Sequence, residues 1–282
     1  ISRAAETSGK IIKGFVAIDT GMGRIGYQTE DPDAIPEILR METLPGFQVK
    51  GIFSHFATAD AADKTYAKEQ EKKYNRFCEK LTAAGGKIPM RTFANSAAVM
   101  ELPSVHFDAV RPGIILYGCY PSAEVDKGQL DLKPAMSVKA NIIHLKKVPA
   151  GSTISYGRKF TASRESLIAT LALGYADGYP RPYSLVGRVI VNGQFAPIAG
   201  NICMDQCMID VTDIPEAAED TRVTLVGRDG DDEITMEELA EWSGGFHYEI
   251  PCVLGKRVPR VYVRGGKIVG KKDYNDDRYE DF

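Results

Sequence analysis

The first 120 residues alternate between strand-like and helix-like segments, and this alternation constrains the fold more than any other feature of the chain. Short apolar runs suit buried strands, and the stretches between them carry apolar residues at helical spacing. Strands that alternate with helices form a parallel sheet, which must be covered on both faces or closed into a barrel. The predicted strands are Gly14–Ile18, Gln48–Phe56, Met90–Phe93 and Phe107–Val110, and the predicted helices are Asp33–Met41, Thr65–Ala84 and Ser96–Leu102.

These segments make about four strand–helix units, which is half of a (β/α)8 barrel. Half a barrel exposes sheet edges, Ile1 is not a start residue, and residues 1–7 have the character of a helix already under way. The sequence therefore predicts the C-terminal half of a barrel over residues 1–125, with the missing half upstream. The edge at Gly14–Ile18 is expected to be exposed or paired with another chain.

A predominantly β domain is predicted from residue 126 to residue 282, after a linker at 119–133 that contains proline, glycine and charged residues. One helix interrupts it at Met236–Ser243, where Thr235 and Glu238 are placed as a capping box and Gly244 ends the helix. Residues 271–282 form a polar tail. The predicted strands are Pro134–Val148, Ser166–Leu173, Gly187–Ile198, Met204–Val211 and Arg222–Val226, followed by a last pair that ends near Val269.

Composition excludes several classes of function. The formal net charge is −3, so nothing points to nucleic acid or an anionic membrane as a partner. No apolar run approaches the roughly 20 residues of a spanning helix. The five cysteines are scattered without a CxxC pair, which argues against a disulfide framework and a zinc site. A protein of the reducing cytoplasm without a metal is expected.

Short motifs follow one another through most of the chain, and in their order and spacing they resemble the alanine racemase family. The resemblance implies a TIM-like barrel joined to a β domain, pyridoxal 5′-phosphate as cofactor, and a homodimer whose active sites are shared between subunits. Any single motif is weak, but eight in order are strong. The motifs are Asp19-Thr-Gly-Met-Gly-Arg-Ile-Gly26, Ser54-His-Phe-Ala-Thr-Ala-Asp60, Ala94-Asn-Ser-Ala97, Val110-Arg-Pro-Gly-Ile114, Ser155-Tyr-Gly157, Gly174-Tyr-Ala-Asp-Gly178, Gly200-Asn-Ile-Cys-Met-Asp-Gln206 and Arg257-Val-Pro-Arg260.

A racemase removes an α-proton and returns one to the opposite face, so it needs two bases besides its cofactor. The resemblance implies that Tyr156 is one base and acts at the partner subunit's cofactor. A tyrosine ordinarily titrates near pH 10, about three units above neutrality. His55 and Arg111 are implied as the hydrogen-bonded chain that assists it, and Arg111 also as the cation facing the pyridine nitrogen. Alternatively, Tyr156 ends a strand, His55 is a core histidine and Arg111 forms a structural salt bridge.

Binding residues are implied in the same way. Ser96, Gly113, Ile114 and Tyr248 match ligands of the cofactor phosphate, with His55 and Arg111 beside the ring. Arg24 and the backbone N–H of Met204, the latter reaching over from the partner subunit, match groups that hold the substrate carboxylate. Tyr175 matches a residue that lines the mouth of the site. Ser96 could equally be an ordinary N-cap, and Arg24 a solvated loop residue.

Two positions depart from the family pattern. Ala17 stands where many members have a lysine, often carbamylated, that braces the arginine equivalent to Arg24. The family's Schiff-base lysine lies in a Val-Lys-Ala-Asn-Ala-Tyr-Gly-His-Gly run that does not occur in these residues. Lys139, in Val138-Lys-Ala-Asn141, is followed by Ile142-Ile143-His144 instead, and is expected to be an ordinary strand residue.

The sequence thus predicts an isomerase that interconverts L- and D-alanine for peptidoglycan precursors, with this chain inactive by itself. Three alternatives stay open: a related racemase that acts, for example, on serine; a non-catalytic module that binds pyridoxal phosphate or phosphate; and a chain that docks a separate N-terminal fragment.

Overall fold

The computed structural model describes residues 1–274, which form two compact units. The first is Ile1–Ala135 and the second begins at Met136, ten residues after the predicted boundary at 125/126. The helices are α1 (Ser2–Thr7), α2 (Ala34–Glu42), α3 (Thr65–Ala83), α4 (Ser96–Glu101), α5 (Met236–Ser243) and α6 (Ile250–Val253). Among the described residues, no helix is long and apolar enough to cross a membrane.

The strands of the first unit are short and parallel. They are β1 (Ile12–Asp19), β2 (Tyr27–Gln28), β3 (Phe47–Phe53) and β4 (Arg91–Thr92), in the sheet order β2-β1-β3-β4. The apolar faces of α2 and α3 pack on this sheet, with Ile38, Tyr74, Phe77 and Leu81 fully buried. The alternating pattern of the sequence therefore does give a parallel sheet covered by helices.

The fourth predicted strand, Phe107–Val110, is reduced to one bridge between Ala109 and Thr92. Phe107 has φ +45°, a conformation outside the β region, so the chain turns just where the strand should begin. Within residues 1–274 this sheet stays open, and the topology does not by itself show a barrel. On the outer edge of β1, β2 pairs only with Ile18 and Asp19. Within the predicted edge at Gly14–Ile18, β2 therefore covers only Ile18, and Phe15 is 41% exposed.

β3 ends at Phe53, three residues earlier than predicted. Ser54, His55 and Phe56 leave the ladder and begin a loop at the carboxyl end of the sheet. The loop after β1, which carries Arg24, emerges at the same end because β1 and β3 are parallel. The fold thus brings two of the sequence motifs to one edge of the sheet, where α/β proteins commonly bind ligands.

The second unit is built on an antiparallel sheet that closes on itself. Its order is β10-β9-β12-β5-β8-β11, with β13 beside β12. Ile198, just after β10, forms an antiparallel bridge with Ile209 on β11, and the N–H of Ala199 donates to the carbonyl of Met208 at 2.7 Å. The strands are β5 (Val138–Val148), β6 (Thr153–Ile154), β7 (Phe160–Thr161), β8 (Ser166–Leu171), β9 (Arg188–Val191), β10 (Gln194–Pro197), β11 (Cys207–Asp210), β12 (Arg222–Asp229), β13 (Asp232–Ile234), β14 (Arg260–Arg264) and β15 (Lys267–Lys272).

The single strand predicted at Gly187–Ile198 is two strands, β9 and β10, joined by a tight turn. Asn192 and Gly193 both have positive φ, +50° and +72°, as the type I′ hairpin turn requires. The Asn-Gly pair is a sequence signal for such a turn. It was overlooked because the apolar residues on both sides resemble one continuous strand. β13 was missed for a different reason, since its hairpin with β12 turns through charged residues.

Helix α5 has the predicted bounds. The hydroxyl of Thr235 accepts from the N–H of Glu238 at 3.1 Å, and Gly244 ends the helix with φ +62°. The Glu238 carboxylate instead accepts from Arg188 on β9 at 3.0 Å, so the predicted reciprocal capping box is only half formed. The last hairpin, β14–β15, runs to Lys272, three residues beyond the predicted end. Most of the predicted tail lies outside the described residues.

Candidate active site

His55 and Arg111 lie beside each other at the carboxyl end of the parallel sheet. Arg111 Nη2 is 3.4 Å from His55 Nδ1 and donates to the carbonyl of Ser54 at 2.7 Å. Arg111 Nη1 donates to the hydroxyl of Thr92 at 2.7 Å. Among residues 1–274 no carboxylate forms an ion pair with Arg111, so the alternative of a structural salt bridge is wrong. The guanidinium donates to neutral oxygens, so no carboxylate among the described residues neutralises its charge.

Burial and nearby positive charge both favour the neutral form of His55. Partial burial lowers the pKa of His55, and the nearby guanidiniums of Arg24 and Arg111 lower it further. Burial, opposed by Tyr74 and reinforced by Arg24, also lowers the pKa of Arg111 from its usual range, which still leaves the arginine charged at neutral pH. A neutral imidazole beside a fixed cation can accept a hydrogen bond on one nitrogen and offer the other to a ligand.

The depressed pKa of His55 makes stability depend on pH. An unfolded histidine takes up its proton near pH 6.5, and the folded one does so only at lower pH. In that window the unfolded state binds more protons, so the free energy of unfolding falls as the pH is lowered through about 6.5. We expect His55→Asn to flatten this fall, as measured by urea denaturation. Equal slopes in wild type and His55→Asn would contradict the assignment.

The loop that carries Arg24 is shaped by Asp19 at the end of β1. One carboxylate oxygen of Asp19 accepts from the N–H groups of Gly21 and Gly23, at 2.9 and 3.1 Å. Burial raises the pKa of Asp19, but these backbone donors outweigh it and the net pKa is lowered. Arg24 is exposed, and among the described residues its guanidinium has no hydrogen bond or ion pair. The cation is thus presented toward solvent on an ordered loop.

The missing brace at Ala17 leads to a prediction about anions. Three positive or potentially positive groups, Arg24, His55 and Arg111, interact electrostatically, and no acidic side chain in the described part of the chain pairs with either arginine. We expect a halide to bind beside Arg24 where a family member would place its carbamylated lysine. A crystal soaked in bromide should show an anomalous peak there. A bromide-soaked crystal without that peak would count against an anionic brace.

Ser96 and Gly113 also come together in the first unit. The hydroxyl of Ser96, which is buried, accepts from the N–H of Gly113 at 2.8 Å. Ser96 is the first residue of α4, but the N-cap is Asn95, whose side chain accepts from Ala98 N at 3.1 Å; the prediction of Ser96 as cap is wrong. A short 3₁₀ turn begins at Ile114, and the N–H groups at its start have no partner within the turn.

In the second unit three loops that carry sequence-predicted residues are joined by hydrogen bonds to backbone carbonyls. Asn201 Nδ2 donates to the carbonyl of Tyr156 at 2.7 Å. The N–H of Tyr175 donates to the carbonyl of Cys203, and that of Ala176 to the carbonyl of Met204, both at 3.0 Å. The side chains of Tyr156, Tyr175 and Met204 are 72%, 42% and 54% exposed in the single chain.

Two local features fix this three-loop platform, which consists of residues 155–157, 174–178 and 200–206. Gly174 approaches the neighbouring backbone so closely that a Cβ would lie 2.3 Å from the carbonyl oxygen of Cys203. Arg257 forms ion pairs with Asp177 at 3.4 Å and Asp205 at 2.7 Å, one acid in each of two loops. Arg257 and Asn201 belong to motifs that the sequence singled out, but their roles in holding the platform were missed.

Tyr248 and Lys139 lie elsewhere in the second unit. The ring of Tyr248 stacks on that of Phe246, with centroids 4.4 Å apart. Lys139 is on β5, and its Nζ donates to the hydroxyl of Thr224 on β12 at 3.0 Å. Lys139 is therefore an ordinary strand residue, as the sequence predicts.

Comparison with known proteins places the whole chain in one family. The family model for the alanine racemase N-terminal domain matches residues 1–121, and that for the C-terminal domain matches residues 135–262. The alanine racemase of Clostridium kluyveri is 50% identical over 274 residues, which are 97% of this chain and 70% of the relative. The alanine racemase of Clostridium tetani is 49% identical over 275 residues, again 97% of this chain and 71% of the relative.

Solved structures agree. Alanine racemase from Clostridium difficile 630 superposes with a TM-score of 0.91 at 38% identity, covering 97% of this chain and 70% of that one. The Bacillus anthracis alanine racemase with bound L-Ala-P gives 0.90 at 36% identity, covering 98% and 72%. Because the N-terminal model matches from residue 1, the description of the chain as a C-terminal portion is too narrow. Both family domains are represented, and this chain belongs to the alanine racemase family.

Proposed function

We propose that this protein interconverts L- and D-alanine with pyridoxal 5′-phosphate, and so supplies D-alanine for peptidoglycan precursors. The observation that carries the proposal is identity of about half over nearly the whole chain to relatives named alanine racemase. The His55–Arg111 pair, built as the family motifs imply, supports it.

The residues present fit the cofactor. A phosphate carries close to two negative charges at neutral pH and takes several donors. The Ser96 hydroxyl accepts from the Gly113 N–H and can itself donate to a phosphate, and the N–H groups at the start of the turn at Ile114 offer further donors. Tyr248 is the further phosphate ligand that we propose. The cluster of Arg24, His55 and Arg111, with no carboxylate ion-paired to either arginine in the described residues, is what an anionic ligand requires.

When bound, pyridoxal phosphate supplies the electron sink that acidifies the α-hydrogen of the amino acid. Arg111 would face the pyridine nitrogen, and its fixed charge would disfavour a second positive charge there. This residue would thereby limit side reactions such as transamination. The three neutral oxygen contacts of Arg111, to Ser54, Thr92 and Phe93, hold the cation without cancelling it.

Tyr156 is the proposed base on one face of the substrate, and it acts in the site of a partner subunit. Its side chain is 72% exposed although its backbone is held by Asn201. An exposed tyrosine on a fixed loop suits a residue that completes the site of a second copy. Arg24 and the backbone N–H of Met204 of the partner subunit would hold the substrate carboxylate, and Tyr175 would line the mouth of the site. We also propose that the parallel sheet of the first unit is part of a TIM-like barrel, as the family resemblance implies.

None of the residues proposed for the site is a lysine, so we expect this chain by itself not to racemise alanine. The comparisons give no support to a separate N-terminal fragment as partner. Mass spectrometry of the protein as cells produce it, with racemisation assays on alanine and serine, tests these points together. Turnover of alanine supports the proposal, and preference for serine would indicate the related racemase. Phosphate binding without turnover in the complete assembly would indicate a non-catalytic module.

A further inference from the structure

Gln70 is a polar side chain buried on the core face of α3. It is 0% exposed and lies at helical spacing with Ala67, Tyr74 and Phe77, all of which are in the hydrophobic core. Burying an amide is unfavourable unless its hydrogen bonds are satisfied inside the protein. Its partners therefore indicate why a glutamine stands at a core position.

All of these partners belong to the two loops at the carboxyl end of the sheet. Gln70 Nε2 donates to the carbonyl of His55 and to the hydroxyl of Thr20, both at 3.1 Å. Gln70 Oε1 accepts from the N–H of Ala57 at 2.9 Å. β3 ends at Phe53, so no strand bonds to the chain around His55. The amide bonds the carbonyl before Phe56 and the N–H after it, as a neighbouring parallel strand would.

The same amide reaches Arg111 through two hydroxyl side chains. The Thr20 and Ser54 hydroxyls are 2.8 Å apart and buried, and the carbonyl of Ser54 accepts from Arg111 Nη2 at 2.7 Å. Thr20 begins the loop that carries Arg24. One side chain thus joins the loops of His55 and Arg24. It bonds the carbonyl of His55, one residue after Ser54, whose carbonyl makes one of the two shortest contacts of Arg111.

We propose that Gln70 is a positioning residue for racemisation, which fixes the His55 loop against the Arg24 loop and keeps His55 aligned with Arg111. The proposal rests on the proposed function but adds a residue that no motif includes. Gln70 acts only through the backbone of residues 55–57 and through Thr20. A displacement of about 1 Å at a reacting group can cost about 100-fold in rate, so a clamp of this kind matters for turnover.

The test is Gln70→Met, which keeps the length of the side chain and removes its hydrogen bonds. We expect kcat for alanine in the complete enzyme to fall by about 100-fold. In an NMR titration we expect the pKa of His55 to rise toward about 6.5, its usual value, because the loosened loop moves the imidazole into water and away from the arginines. The protein has four histidines, and His55→Asn assigns the signal.

Asn75→Leu is the matched control, since it removes another amide side chain of the same helix, whose oxygen accepts from Arg91, away from both loops. It should leave the His55 titration unchanged. An unchanged His55 titration in Gln70→Met would overturn the proposal. If that variant does not fold, Thr20→Val removes the hydroxyl shared by Gln70 and Ser54; the same upward shift supports the proposal and its absence refutes it. Failure of the complete wild-type enzyme to racemise alanine would refute the proposed function alone, because the titration needs no turnover.

Discussion

Replacing Tyr156 by phenylalanine should slow alanine racemisation by about 10²- to 10⁴-fold, while leaving exchange of the α-hydrogen of one enantiomer with solvent. Removing a general acid–base group typically has a cost of this size. A two-base enzyme that has lost one base can still remove and return a proton on the other face. The measurement is proton NMR in D₂O on each enantiomer separately, using the complete enzyme with its cofactor.

Tyr262→Phe is the matched control, because Tyr262 is 52% exposed on β14 and belongs to none of the site motifs. It should racemise and exchange like the wild type. A small, equal loss of exchange for both enantiomers in Tyr156→Phe would show that the phenol is not a base.

Pyridoxal phosphate added to this chain should bind reversibly and be lost on dialysis. Charge-assisted hydrogen bonds contribute about 1.5–3 kcal/mol each, and fixing a ligand costs about 4–15 kcal/mol in lost freedom. A few contacts from Ser96, Gly113, Tyr248 and Arg111 therefore give weak binding without a covalent bond. The absorbance spectrum should resemble that of the free aldehyde.

Borohydride reduction followed by peptide mapping checks this result. We expect no reduced adduct on Lys139, which is engaged with Thr224 in the sheet, and Lys139→Met should bind the cofactor as the wild type does. A yellow protein that survives dialysis would contradict the expectation, and the mapped peptide would then identify the lysine.

The alternation of apolar runs and amphipathic stretches was enough to predict most elements of the first unit, because each is set by local periodicity. The errors fall where local rules compete. At Phe107 a positive φ breaks a run that reads as a strand, and at Asn192-Gly193 a turn is hidden between apolar residues. β3 ends early, and the carbonyls of Ser54 and His55 accept from the side chains of Arg111 and Gln70 instead of from a neighbouring strand.

Candidate site residues could be proposed from the sequence because they lie within recognisable motifs. The residues that hold them in place could not. Gln70 lies in no motif, and its partners are up to 50 residues away along the chain. One signal was present: a glutamine on the same face of α3 as the apolar residues Ala67, Tyr74 and Phe77. Such a mismatch between residue type and burial indicates a polar partner in the core, but only the fold identifies it.

The three-loop platform of the second unit has a consequence for evolution and engineering. Its loops bond to one another through Asn201, the backbone at Tyr175 and Arg257, so none can move independently. Substitutions in contact have non-additive effects, commonly by about 0.5–3 kcal/mol. Changes in substrate preference that combine residues of these loops should therefore be strongly epistatic, and a useful double variant can lie beyond two unfavourable single steps. Libraries that vary the loops together would reach amino acids that stepwise selection does not.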